Sequence, residues 1–206
     1  MRIYLFLIAL LGWFALITQF YLNLNSGVAS TGEIIIRYFS YFTLLTNLLV
    51  AVCCTCLLLA PTSKWGRFFS KTKTSTAVTV YILIVGLIYN TILRFIWNPT
   101  GLQMMVDELL HTVIPLMFLF YWIIFANKSG LKWKDIFPWL IYPLVYLIFV
   151  LIRGSFSGFY PYPFIHAGNL GMQQTLINAL GVTAIFVVVS LIFIRIGRMT
   201  NPRAKT

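Results

Sequence analysis

The sequence predicts an all-α, polytopic membrane protein of six transmembrane helices with both termini cytoplasmic. Three observations predict it. Of 206 residues, 60% are hydrophobic and only 9% charged, with a mean hydropathy of +0.91, a balance outside the range of ordinary soluble domains. Six apolar stretches each approach the ~20 residues needed to cross a hydrocarbon core, and they use up most of the chain. The basic residues gather in alternate joins, as the positive-inside rule requires. These features exclude a multidomain soluble enzyme and leave a single domain over 1–206.

The spans fall at 3–23, 34–60, 76–97, 102–126, 137–153 and 172–194. Only Arg2 precedes the first, which could pass for a secretion signal with Val28-Ala29-Ser30 as its cleavage site. Its apolar run is too long for that and predicts a retained helix. Lys64, Arg67, Lys71 and Lys73 separate the second and third spans, and Lys128, Lys132 and Lys134 the fourth and fifth. Arg195, Arg198, Arg203 and Lys205 follow the sixth; with Arg2 they bring twelve of the fifteen basic residues to one face. That face is expected inside a cell membrane. Net charge +11, which in a soluble chain would suggest nucleic acid, therefore reads as orientation, and no nucleic-acid partner is expected. Cys53, Cys54 and Cys56 lie in one apolar run and offer neither a disulfide framework nor a four-ligand zinc site.

The remaining basic residues, Arg37, Arg94 and Arg153, sit in or at the end of helices on the outer side, level with Glu33, Asp107 and Glu108. Ionisable groups at membrane depth are costly and mark functional sites by default; arginines snorkelling to headgroups are the plainer alternative. At 100° per residue, Thr46, Thr43, Asn47, Ser40 and Arg37 share one half of the second helix. Gly86, Asn90 and Arg94 form a stripe on the third, Tyr142, Tyr146 and Arg153 on the fifth, and Gln174, Asn178 and Gly181 on the sixth. Asp107, Glu108 and His111 fall close together on the fourth. Hydrocarbon does not solvate such groups, so the stripes are expected to converge on a polar pocket open to the outside. Interhelical hydrogen bonding alone is the competing explanation, and for the Ser and Thr residues it is the stronger one.

Depth adds a pairing. Counted from Ile34 and Leu102, Thr43 and His111 each lie nine residues into their helices, about 13 Å down. A hydroxyl becomes a nucleophile when a base takes its proton, and imidazole is the usual base near neutral pH. Asp107, at i, i+4 to His111, can fix the ring tautomer, with Glu108 as its substitute. A packed histidine and a threonine bonded to its own helix are the structural alternatives.

Tyr41-Phe42-Thr43-Leu44-Leu45-Thr46-Asn47, Asp107-Glu108-Leu109-Leu110-His111-Thr112 with Pro115 beyond, and Tyr162-Pro163-Phe164 occur in that order. The pattern resembles the family of androgen-induced protein and the androgen-dependent regulator of tissue factor pathway inhibitor, together with bacterial six-helix membrane proteins. The resemblance covers most of the chain through short motifs. It implies an intramembrane threonine hydrolase of fatty acid esters of hydroxy fatty acids, with Thr43 and His111 in the matching positions. Two spacings depart from the animal members. Asn47 follows Thr43 by four positions, where an Asn or Asp follows by three, and Pro115 is one residue nearer His111. Thr46 therefore stays open as the nucleophile.

The expected reaction is ester hydrolysis on a membrane lipid or other acyl-chain substrate through an acyl-threonine, with no cofactor or metal. Asn47 and Asn90 are candidate oxyanion donors. Arg94 is the first choice to anchor a substrate carboxylate, with Arg37 and Arg153 next, and Ser40, Tyr146 and Asn178 complete the expected substrate contacts. The rival readings are a small transporter using Arg94, Asp107, Glu108 and His111 as a relay, and a non-catalytic lipid-binding protein. A metal site of Asp107, Glu108, His111 and His166 has the right donors but few histidines; His166 reads better as a loop residue over the outer mouth.

Overall fold

The computed structural model describes residues 1–200, so Arg203 and Lys205 lie outside the described residues. Among the described residues the chain is helical, without strands. Six stretches are long and apolar enough to cross a membrane: Arg2–Leu24, Phe42–Leu59, Thr72–Phe95, Gly101–Phe125, Trp133–Ser157 and Ala167–Met199. Hydrocarbon offers a backbone amide no partner, and a helix satisfies its amides internally. The helices are α1 (Arg2–Leu24), α2 (Thr31–Tyr38), α3 (Phe42–Leu59), α4 (Lys64–Phe69), α5 (Thr72–Thr91), α6 (Gly101–Glu108), α7 (Ile114–Phe125), α8 (Ile136–Ser157) and α9 (Ala167–Met199).

α1 packs on α3, α3 on α5, α5 on α7 and α7 back on α1, closing a four-span ring. α9 packs on α5 from outside the ring, and α8 on α9. The Tyr4 ring meets Phe125, and Gly197 abuts Leu131 and the Lys128 carbonyl, so the start of α1 and the end of α9 share one end of the bundle. At that end Asp135 accepts from Lys73 Nζ at 2.6 Å and from the Lys132 backbone N–H at 2.9 Å, tying the fifth span to the third. The candidate site lies at the opposite, far end.

The predicted single helix over 34–60 is broken. α2 stops at Tyr38, and Tyr41 is extended (φ −86°, ψ 123°) before α3 begins. The first amides of a helix have no partner within it, and two tyrosines from distant parts of the chain supply partners here. Tyr146 donates to the Ser40 carbonyl (2.9 Å) and accepts from the Phe42 N–H (3.2 Å), while the Tyr162 hydroxyl accepts from the Thr43 N–H (3.1 Å). Thr43 is therefore the second residue of α3, not one nine residues into a helix, and Arg37 and Ser40 do not continue its stripe.

The fourth span is also irregular. Between α6 and α7, Leu109–Val113 forms a π-turn in which the Ile114 N–H reaches back to the Leu109 carbonyl. In that register the Leu110 carbonyl looks to the N–H of residue 115, and Pro115 has none. Asn47 Nδ2 takes its place, 3.0 Å from the Leu110 carbonyl and 2.9 Å from that of Thr43. Asn90 Nδ2 meets the His111 carbonyl at 3.3 Å. Gly86 lets α5 approach this turn, because a Cβ there would stand 2.9 Å from the His111 carbonyl oxygen and 3.2 Å from Pro115 Cβ. Gly86→Ala is expected to cost about 1–3 kcal/mol through overpacking, read as a lower unfolding temperature in detergent. An unchanged midpoint would show that the turn yields freely.

Other boundaries shift where helix continues into polar flanks. The third span starts at Thr72, and the fifth extends to Ser157. α9 begins at Ala167, but Gly171 has φ 76°, a left-handed value that interrupts the helix, so its straight part starts at the predicted Met172.

Candidate active site

Thr43 and His111 line the same cavity of about 520 Å³ at the far end. The side chains lining it come from the far-end halves of α1, α3, α5 and the fourth span, from α2, and from the loop after α8. The two residues do not hydrogen-bond to each other. Thr43 Oγ1 lies 3.2 Å from the Tyr162 hydroxyl, and either oxygen can donate. Their backbones are nonetheless close, since Asn47 Nδ2 reaches both Thr43 and Leu110, the residue before His111.

His111 is held from three sides. Its Nδ1 lies 2.9 Å from the Asp107 carbonyl oxygen and 3.4 Å from Asp107 Oδ1, which fits a proton on Nδ1 and leaves Nε2 without a partner among the described residues. Its ring stacks on Tyr89 with centroids 4.0 Å apart and planes 14° apart. The π-turn bracketed by Asn47 and Asn90 fixes its backbone. Asp107 is buried, and its Oδ2 has no hydrogen-bond partner among the described residues. The expected carboxylate contact thus shares the ring nitrogen with the backbone, the shorter of the two.

Several expected roles move. Glu108 does not substitute for Asp107; it pairs with Arg94 Nη2 at 2.6 Å. Arg94 also donates to Asn90 Oδ1 (2.9 Å) and Thr112 Oγ1 (3.2 Å) and does not line the cavity. A guanidinium so engaged is poorly placed to anchor a substrate. Asn47 and Asn90 spend their amide hydrogens on backbone carbonyls, so they support the π-turn instead of waiting for an oxyanion. Thr46 is fully buried against the Tyr142 hydroxyl at 3.3 Å and lines no described cavity, whereas Thr43 lines two.

Arg37, the second choice, lines the cavity mouth. Its Nε donates to Glu33 Oε1 at 2.8 Å, and Arg153 Nη2 donates to the same oxygen at 2.7 Å. The two guanidinium groups lie 4.5 and 4.7 Å from the centroid of the Phe159 ring. Two cations share one carboxylate, which leaves the mouth positive. The Arg37 guanidinium, followed by that of Arg153, holds the Glu33 carboxyl below the usual carboxylate range. A depressed folded pKa stabilises the protein above the ordinary value of ~4.3, and the gain is lost as pH falls through the folded one. The thermal midpoint of the wild type is therefore expected to drop on acidification below that value, and that of Glu33→Gln to drop less. Parallel curves would rule the coupling out.

Ser40 is buried, with its hydroxyl on the Ile36 carbonyl (2.7 Å). Asn178 donates to the Phe164 carbonyl (2.9 Å), so it fastens the Tyr162–Phe164 loop and stands away from the large cavity. His166 caps α9, accepting from the Asn169 N–H at 3.2 Å, and lies against Tyr160; it does not line the mouth. Among the described residues no three His, Cys, Asp or Glu side chains form a metal-binding group.

Tyr89 and the Gln19–Gln103 amide pair, which lie on none of the polar stripes of the sequence, also line the cavity, as does Tyr41 of the first motif. Tyr89 sits one residue before Asn90 and left no polar stripe to follow, because an aromatic ring in an apolar helix looks like core. Tyr162 was visible only as a motif; its bond to Thr43 appears in the structure alone. Burial raises the Tyr162 phenol to about 12, so it remains a hydrogen-bond donor at neutral pH.

No family model, curated protein or solved structure matches this chain.

Proposed function

We propose that the protein is a membrane-embedded ester hydrolase in which Thr43 is the nucleophile and His111 the general base. One observation carries the reading: a threonine at a helix N-terminus and a histidine with Nδ1 engaged and Nε2 free line one cavity in a chain that is otherwise apolar. On substrate binding the Thr43 hydroxyl turns from Tyr162 toward His111. Catalytic hydrogen bonds are often long or absent before substrate arrives. His111 Nε2 takes the hydroxyl proton as Oγ1 attacks the ester carbonyl. The oxyanion forms beside the Tyr162 phenol and the positive end of α3. The tetrahedral intermediate collapses, the alcohol leaves with the proton from His111, and an acyl-Thr43 remains. Water then adds to the acyl carbonyl and gives a proton to His111, which returns it to Thr43 Oγ1 as the acyl–oxygen bond breaks and the acid leaves.

The cavity is taken to open on the outer side of the cell membrane, since the basic joins lie at the other end. The resemblance carried by the Thr43, His111 and Tyr162 segments implies the same chemistry. Turnover of a fluorogenic fatty acyl ester by purified protein in nanodiscs, with covalent labelling by a fluorophosphonate, tests the reading. A protein that does neither is not a hydrolase. A non-catalytic lipid-binding role has one observation in its favour, the resting Thr43–Tyr162 bond, and would show lipid binding that survives Thr43→Ala without any turnover.

The positive mouth favours an anionic group on the substrate. Arg37→Gln is expected to raise KM for an ester bearing a carboxylate about tenfold while leaving kcat near wild type, the loss of one exposed charge-assisted bond. Equal KM values for the two proteins would exclude Arg37 as the anchor.

A further inference from the structure

A second, smaller cavity lies on the other side of Thr43. It encloses about 80 Å³ between α5, α8 and α9, and its walls include Ile84, Ile88, Leu147, Ala179, Val182 and Phe186. Thr43, Tyr162 and Leu93 line both cavities, so the candidate nucleophile stands in the partition between them. Few other polar side chains reach the small cavity, and those that do are already engaged. The Thr183 hydroxyl donates to the Ala179 carbonyl at 2.8 Å, and the Tyr146 hydroxyl is held by Ser40 and Phe42. The space therefore presents hydrocarbon. On its flank Ile88 and Val182 are half-buried and Thr183 is exposed, so its wall along α5 and α9 lies near the outer surface of the bundle.

We propose that this crevice holds the acyl chain of the substrate, and that the chain reaches it laterally between α5 and α9. The inference deepens the hydrolase reading and rests on it, because it assigns the two halves of the ester to two compartments. The acyl carbonyl lies at Thr43, its hydrocarbon lies in the crevice, and the polar alcohol portion lies in the large cavity toward Arg37. The crevice is the smaller of the two spaces, about 80 Å³. It admits the first few carbons, and the rest of the chain lies in the membrane. Ala179 and Val182 are the specificity-determining positions, since bulk there closes the crevice without touching His111 or Arg37.

The test compares p-nitrophenyl palmitate with p-nitrophenyl acetate on protein in nanodiscs. In Ala179→Trp or Val182→Trp the ratio of kcat/KM for palmitate over acetate is expected to fall about tenfold or more, as for a pocket that loses room for its substrate. A ratio unchanged in both folded variants overturns the proposal. Wild-type protein is also photolabelled with a palmitoyl ester carrying a diazirine close to the carboxyl end, and the adducts are mapped by mass spectrometry. Adducts on 84–88 and 179–183 support the crevice whether or not the protein turns over either ester. Adducts confined to other surfaces overturn it. Absent turnover of both esters counts against the hydrolase reading alone.

Discussion

His111→Ala is expected to lower kcat/KM for ester hydrolysis by roughly 10²–10⁴, the range for loss of a positioned general base. Asp107 occupies Nδ1 through its carbonyl at 2.9 Å and its carboxylate at 3.4 Å, so the lone pair on Nε2 is the one available to take a proton. Thr43→Ala is expected to fall as far, and the double variant no further, because nucleophile and base act as a unit. Fluorophosphonate labelling should vanish with Thr43 and persist in Thr46→Ala, whose hydroxyl is buried on Tyr142. Thr43→Ser should keep measurable turnover. The decisive readings are rates on folded protein, checked by size-exclusion profile and thermal midpoint. Wild-type rates in both Thr43→Ala and His111→Ala would end the mechanism and leave the cavity as a binding site only.

Asn47→Leu is expected to destabilise the bundle by about 1–3 kcal/mol, the cost of leaving a buried carbonyl without a partner. The carbonyl in question is that of Leu110, which the π-turn directs at a proline nitrogen and to which Asn47 Nδ2 donates at 3.0 Å. Part of the loss is offset, since Asn47 Oδ1 is itself buried and unpaired and leaves with the amide. A second substitution separates this cause from simple packing. Pro115→Ala returns an N–H to residue 115, in place to donate to Leu110, so Asn47→Leu should cost less in that background than alone. Thermal unfolding of the four proteins of this cycle measures the coupling. Equal costs in both backgrounds would show that Asn47 acts through packing and not through the Leu110 carbonyl.

The two irregularities that build the site left little trace in the sequence. Phe39-Ser40-Tyr41 contains no Gly or Pro, and the apolar run continues past it, so nothing local announces a break. The break exists because Tyr146 and Tyr162, more than a hundred positions away, satisfy the amides and carbonyl it exposes. The π-turn had one local cue, Pro115, but a proline in a span is equally compatible with a kink. Its form depends on Asn47 and Asn90 arriving from two other helices. The three arginines stand out in the sequence because they lie level with three acids, but which carboxylate each finds is not legible there. Glu108 is as near in sequence to His111 as to a position facing Arg94, and its choice of Arg94 depends on how the third and fourth spans pack.

The sequence by itself determined the six apolar helices, the alternation of basic joins and the residue types that must avoid hydrocarbon. Those follow from the cost of exposing polar backbone or charge to lipid, which is paid residue by residue and needs no knowledge of neighbours. Only the tertiary structure decided where the helices break, which hydroxyl lies in the partition between the two cavities, and which arginine lines the larger one. These depend on single hydrogen bonds between distant segments, and a hydrogen bond a few ångströms long is fixed by packing geometry that linear spacing does not encode.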